Sequence, residues 1–264
     1  MAKQGDIGRI WDYVVNTQVW RSIMRHGYPD TPRNRSLAIM ANVFFHLHPI
    51  RLRKSGLRVR YTWCMGGLTF FLFLVETITG LLLMFYYRPT AEYAYHDIVY
   101  LRADVALGTM REIHRWGAHA MVITIWLHMM RVFLTGAYKP PREFNWGVGV
   151  VLLLLTLLLS FTGYLLPWDQ LAMWAITVGT NMARATPFLG HEGPGAALIK
   201  IGDISVVHSA SDVRFGLLAS RFVGAPAILR FYVLHCVGFP LIAAFLIAVH
   251  FWRVMKDGGI SGPL

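Results

Sequence analysis

Four histidines, His114, His128, His235 and His250, stand inside otherwise apolar stretches, the first two fourteen residues apart and the last two fifteen apart. Along an α-helix fourteen residues cover about 21 Å and return to within about 40° of one face, and fifteen return to within about 60°. Each stretch therefore offers one imidazole near each end of a helix of that length. The two stretches are separated by one intervening apolar segment, so in a membrane they run in the same direction. His114 is then level with His235, and His128 with His250, giving two His–metal–His sites at two depths. Neutral imidazoles supply the two axial ligands of a haem iron, and a helix bundle can bury the apolar macrocycle. The competing reading is a set of isolated core histidines bonded to backbone. Ionisable groups inside a span are costly and usually functional, and four at paired depths weigh against that reading. His119 serves as a control: five residues after His114, it lies about 140° round the helix and points elsewhere. His26, His46, His48, His96, His191 and His208 lie outside the apolar stretches and read as surface residues.

Glycines repeat the period. Gly66 and Gly80 are fourteen apart, as are Gly149 and Gly163, in the two apolar stretches that lack the histidine pairs. A flat macrocycle held between the histidine helices would collide with side chains at those depths, and glycine removes the obstruction. Small-residue helix packing gives the same pattern. Arg111 and Arg115 flank His114 and Arg131 follows His128 by three. These arginines suit anionic haem propionates, or they snorkel to the membrane surface. Glu76 is the single acidic residue inside an apolar stretch, so it reads as a proton acceptor or hydrogen-bond partner near a quinone, or else as a satisfied packing group.

The elements that must carry these residues are membrane spans. The chain has 264 residues, 55 % of them hydrophobic, and a mean hydropathy of +0.46, more than one soluble core needs. About 20 apolar residues cross a bilayer as a helix, and four segments qualify: roughly 63–87, 113–134, 146–166 and 228–252. The formal net charge of +11 comes without any nucleic-acid-binding signature and instead reports topology and anionic lipid. Regions on the side of the two termini carry 16 basic and 5 acidic residues, against 9 and 8 on the other side. The positive-inside rule puts both termini in the cytoplasm. The basic segment 1–60 includes Ile7, Ile10, Trp11, Val14 and Val15 at helical spacing, an interfacial helix or a plain tether, and it offers no cleavable signal. The long connection from Pro167 to about Ala227 belongs on the far face. Cys64 and Cys236 lie in different spans, so a disulfide framework is not expected. The expected architecture is an all-α membrane protein: a haem-binding bundle of four transmembrane helices at 61–264, preceded by an interfacial segment.

Several short motifs resemble one family closely. WCMGGLTF and MFYYRPT around the first span, HRW and FLTGAYKPPREFNW around the second, TGYLLPWDQ after the third, RFYVLH in the fourth and the terminal ISGPL are similar to the short, cytochrome b6-like cytochrome b of split quinol–cytochrome c or plastocyanin reductases. The resemblance covers about Tyr61 to Leu264. It implies that His114 and His235 hold a low-potential haem b on the positive side, and His128 and His250 a high-potential haem b on the cytoplasmic side of an inner membrane. It implies quinol oxidation in a proton-translocating Q cycle, in a dimeric complex. A Rieske iron–sulfur protein, a c-type cytochrome and a small second-half cytochrome b subunit would be the partners. The quinol pocket would lie around Gly163, Tyr164, Pro167, Trp168 and Asp169. Cys64 matches the cysteine that, in cytochrome b6, carries an extra c-type haem by a single thioether; a buried inert thiol is the alternative. Lys256 or Arg253 would be the basic residue near that group. The resemblance expects glutamine where Glu76 stands. Two other classes compete: a dihaem membrane anchor of a dehydrogenase or hydrogenase, and a four-helix transporter whose histidines relay protons.

Overall fold

The computed structural model describes residues 6–17, 20, 31–40, 54 and 59–257. His26, His46, His48 and the ISGPL terminus lie outside the described residues. Four helices are long and apolar enough to cross a membrane: Met65–Met84, Val105–Leu134, Glu143–Leu165 and a fourth from Ala225 to Lys256. On the first, Leu68, Phe71, Leu74, Ile78 and Leu81 form an exposed apolar stripe, the surface that a helix presents to lipid rather than to water. Ahead of the spans, Asp6–Asn16 is a helix with Ile10, Trp11 and Val14 exposed.

Two helix starts and one internal turn differ from the sequence reading. The second spanning helix starts at Val105, not near 113, because Asp104 caps it: its carboxylate accepts from the Leu107 amide at 2.8 Å, the usual way to satisfy a free N-terminal N–H. That extension brings Glu112 into a spanning helix, and Glu143 opens the third, so Glu76 on the first is not the only acidic residue on the four helices. The first spanning helix starts at Met65, because Trp63 and Cys64 adopt left-handed backbone conformations with φ of 49° and 52°. Cys64 therefore lies just outside the helix, exposed. The fourth helix contains one wide turn at Leu234–Gly238, closed by the Phe239 amide donating to Leu234 O five residues back. Such a π turn takes up one extra residue, so fifteen residues from His235 to His250 do the angular work of fourteen.

The chain forms two compact units. One draws on Met1–Thr69, Ile123–Leu154 and Ala243–Leu264, the other on Phe70–Val122 and Leu155–Ile242. In the first, Thr69 Oγ1 bonds Thr124 Oγ1 at 3.0 Å, and Arg253, fully buried, is paired with Asp257 at 2.7 Å. The second holds the connection between the third and fourth spans. It begins with the helix Gln170–Ala183, whose core-facing Ile176 packs with Leu165, Leu218, Ala227 and Phe231. A two-residue hairpin, Lys200–Ile201 against Ile204–Ser205, follows. His191 is partly buried against the carboxylate of Asp212 rather than free at the surface, and Asp212 also caps the helix Val213–Leu218.

In the same unit, the Arg88 backbone N–H, Nε and Nη2 all donate to the Asp97 carboxylate, at 2.8, 3.0 and 2.6 Å. The Arg88 hydrogen bonds hold the Asp97 carboxyl below its ordinary value. A depressed carboxyl pKa contributes stability that is fully present above its unfolded value, about 4, and is lost as pH falls through the folded value. Asp97→Asn should therefore loosen the helix Ala94–Ala103 at neutral pH, and acidification should reproduce the effect in the native chain. Hydrogen exchange across 94–103 checks this; identical protection in both proteins at neutral pH would refute it.

Candidate functional site

In the unit that contains Phe70–Val122 and Leu155–Ile242, the imidazoles of His114 and His235 face each other with ring centroids 6.2 Å apart. Two imidazoles bound through nitrogen to one metal at about 2 Å each stand about 6 Å apart by centroid, so one metal fits between them. The tautomers suit this role. Thr79 Oγ1 donates its proton to Val75 O and so can only accept from His114 Nδ1, 2.9 Å away. Glu76 Oε2, 3.1 Å from the same nitrogen, accepts as well. His235 Nδ1 lies 3.1 Å from Leu159 O and 3.2 Å from Thr162 Oγ1, whose own proton goes to Leu158 O. Both Nδ1 atoms are therefore donors, which leaves each Nε2 lone pair for a metal; hydrogen bonds to the second nitrogen of a ligand histidine set its tautomer in this manner.

The other unit brings His128 and His250 together as a second pair of rings, with centroids 6.4 Å apart. All four glycines of the sequence pattern lie beside these rings. A Cβ on Gly66 would come within 3.2 Å of His128 Cε1 and one on Gly80 within 3.2 Å of His114 Cε1; on Gly163 it would come within 2.6 Å of His235 Cε1, and on Gly149 within 3.9 Å of His250 Cε1. For Gly66, Gly80 and Gly163 the nearest atom is that of an imidazole, whereas Gly149 lies closer to Met129 Sδ, at 3.6 Å, than to His250. The one-to-one match of glycine with histidine was not legible from their shared period alone.

Among the described residues no group of three or more His, Cys, Asp or Glu side chains could hold a metal ion. Each pair thus provides two ligands and no more, which suits a metal whose remaining ligands come with it, as the four macrocycle nitrogens of a haem do. The residues fit the group that the spacing implied.

The remaining candidates fall in different places. Arg111 and Arg115 share the carboxylate of Glu112, with Arg111 Nη1 at 2.8 Å and Arg115 Nε at 2.9 Å, so this acidic residue, absent from the sequence reading, organises both. Arg115 also stacks over Trp116. Arg131 lies in the last turn of the same helix. His119 is exposed, its ring edge-on to Trp116, away from His114 as the helical angle requires. Around the third helix's exit, Gly163 is taken up by His235, Tyr164 is exposed, Pro167 precedes Trp168 in a left-handed conformation with φ 52°, and Asp169 caps Gln170–Ala183 through the Ala172 amide at 2.8 Å.

The family model described as cytochrome b/b6/petB matches residues 52–206. The chain is 34% identical to a menaquinol:cytochrome c reductase cytochrome b subunit of Geobacillus thermodenitrificans, over 98% of this chain and 100% of the relative. It is 35% identical to the protein of that description in Bacillus subtilis (strain 168), with the same coverage. Cytochrome b6 of Gracilaria tenuistipitata var. liui is 40% identical over 78% of this chain and 86% of its own length. Among solved structures, a chain of a hyperthermophilic respiratory Complex III superposes with a TM-score of 0.64 at 24% identity; the alignment covers 89% of this chain and spans 55% of that one.

Proposed function

The chain belongs to the cytochrome b/b6 family, and we propose on that basis, and on its two paired-histidine sites, that it is the dihaem cytochrome b subunit of a quinol:cytochrome c oxidoreductase. The observation that carries the reading is the separation of 6.2 and 6.4 Å in two His–His pairs, each with glycines against its rings. Haem iron, when bound, supplies one-electron chemistry. The chain's part is to hold one such group by His114 and His235 and another by His128 and His250, with Nδ1 protons of the first pair committed to protein acceptors. Arg111, Arg115 and Arg131 supply donors for propionates, and the glycines leave room for the macrocycle as well as for the rings.

A quinol bound near Gly163, Tyr164, Pro167, Trp168 and Asp169 would release two electrons and two protons. One electron leaves through a Rieske iron–sulfur protein to a c-type cytochrome; the other passes by way of the two histidine pairs to a quinone at a second site. The relatives named for menaquinol favour that class of quinone. A small subunit would complete the quinol pocket, and the complex would be dimeric. The charge asymmetry supports a multi-pass protein of the cytoplasmic membrane with both termini in the cytoplasm, and the exposed apolar face of Asp6–Asn16 supports an interfacial segment there.

Cys64 would hold a c-type haem by one thioether. Its exposure, on a left-handed backbone outside the first spanning helix, supports this reading over that of a buried thiol. Arg253 is buried and paired with Asp257, which leaves the more accessible Lys256 as the basic residue toward that group.

One preparation tests all of this. The purified complex should show b-type bands in a reduced-minus-oxidised spectrum, a pyridine haemochrome ratio of two b to one c on this chain, and quinol-dependent reduction of a c-type acceptor. Haem stain should stay with the chain after denaturing electrophoresis and disappear in Cys64→Ala. Stain that persists in the variant, or is missing from the native chain, would remove the covalent haem; missing b bands would overturn the whole reading.

A further inference from the structure

Glu76 is largely buried, its side chain 15 % exposed. Its Oε2 lies 3.1 Å from His114 Nδ1, while Oε1 is buried with no hydrogen-bond partner among the described residues and rests on Gly117, where even a Cβ would overlap it. Gly117 thus forms the floor of a slot that seats the carboxylate against the histidine. No carboxylate stands within ion-pair distance of His128, His250 or His235 among the described residues. His235 instead turns its Nδ1 toward Leu159 O and Thr162 Oγ1.

We propose that Glu76 is a positioning residue for the His114/His235 haem, accepting a hydrogen bond from His114 Nδ1–H as a carboxylate and so lowering that haem's reduction potential relative to what an amide at the same place would give. The inference rests on the haem assignment made above. Its physics is that of an acceptor behind a ligand histidine. A negatively charged acceptor makes the imidazole a stronger electron donor to the iron, and a buried anion favours the oxidised, more positive form of a nearby metal centre, with little solvent to screen it. The carboxylate and Thr79 Oγ1 share the one Nδ1 proton, so they also hold the ring's orientation. The glutamine that the family resemblance expects here could accept the same hydrogen bond through its amide oxygen, without the charge. The slot beside Gly117 explains how a charged group is kept on the ring instead of swinging away to lipid.

The test is a spectroelectrochemical titration of both b haems in the intact complex, native and with Glu76→Gln, Glu76→Asp and Gly117→Ala. Glu76→Gln should keep both haems and move only one, its reduction equilibrium shifting about three- to tenfold toward the ferrous form; a tenfold shift corresponds to about 59 mV for one electron. Gly117→Ala, which displaces the carboxylate without deleting it, should move the same haem in the same direction. The other haem is the internal reference. If Glu76→Gln loses that haem while Glu76→Asp keeps it, Gly117→Ala decides: a shift of the same haem toward the ferrous form supports the proposal, and an unchanged potential overturns it. Unchanged potentials in Glu76→Gln, equal shifts of both haems, or loss of the haem from both Glu76 variants would overturn it. Absence of b-type bands from the native complex would instead remove the haem assignment itself, so the two failures are separable.

Discussion

Replacing His128 or His250 by alanine removes one b-type haem from the complex and leaves the other, with the b-haem content of correctly assembled protein falling to about half. The reason lies in the division of the ligands. His128 and His250 belong to one compact unit together with Gly66 and Gly149, and His114 and His235 to the other with Gly80 and Gly163. Each His114 and His235 Nδ1 contact is made inside its own unit. Quinol should still reduce the remaining haem, while electron delivery to the second quinone site stops, a loss of steady-state turnover of at least about a hundredfold if the second pair is an obligatory relay. Pyridine haemochrome counts and single-turnover reduction check both parts. Loss of both haems from a correctly inserted variant would show that the sites are not independent.

The second large effect concerns the glycines, which should not respond alike. Gly163→Ala places a Cβ 2.6 Å from His235 Cε1, closer than unstrained carbon atoms approach. The ring is held from behind by Leu159 O and Thr162 Oγ1, so it cannot retreat without breaking those bonds. Overpacking of this kind costs about 1–3 kcal/mol, and the expected outcome is loss of the His114/His235 haem. At Gly66 and Gly80, a contact of 3.2 Å demands a shift of only a few tenths of an ångström, and haem affinity should weaken without being lost. Gly149→Ala meets His250 at 3.9 Å and Met129 Sδ at 3.6 Å, ordinary van der Waals distances, and should be close to neutral. Haem retention through detergent purification and the thermal midpoint of the complex give the ranking. Equal effects at Gly149 and Gly163 would sink it, because generic helix packing by small residues predicts no such order.

Much of the fold was open to inspection in the sequence. Membrane spans announce themselves because hydrocarbon tolerates only long apolar helices, and all four appeared close to where composition placed them. Their ends did not, since a helix starts where its free N–H groups are satisfied and not where hydropathy rises. Asp104 starts the second span eight residues before the apolar run, and Trp63 and Cys64 delay the first. Glu112 was missed as a consequence, although an Asp three residues ahead of Leu107 was a readable capping signal. His191 and Asp212 could not be paired from sequence at all, because the turns between them set their distance.

What the sequence determined by itself was the repertoire: two helices each bearing two imidazoles about one membrane leaflet pair apart, two more bearing glycines at the same period, and enough apolar length to bury them. These follow from residue types and from the fixed rise of a helix. The tertiary structure decided which groups meet. It placed the rings 6.2 and 6.4 Å apart, assigned one glycine to each histidine, and turned Glu76 from a lone intramembrane acid into the partner of His114. Most tellingly, it reconciled the unequal spacings of fourteen and fifteen. On an ideal helix fifteen residues would set His250 about 60° past the position of His235, where fourteen set it about 40° short, and the wide turn at Leu234–Gly238, with its Phe239 to Leu234 hydrogen bond, absorbs the extra residue. A period constrains where a side chain can point; the local hydrogen-bond pattern and the packing around it set where it does.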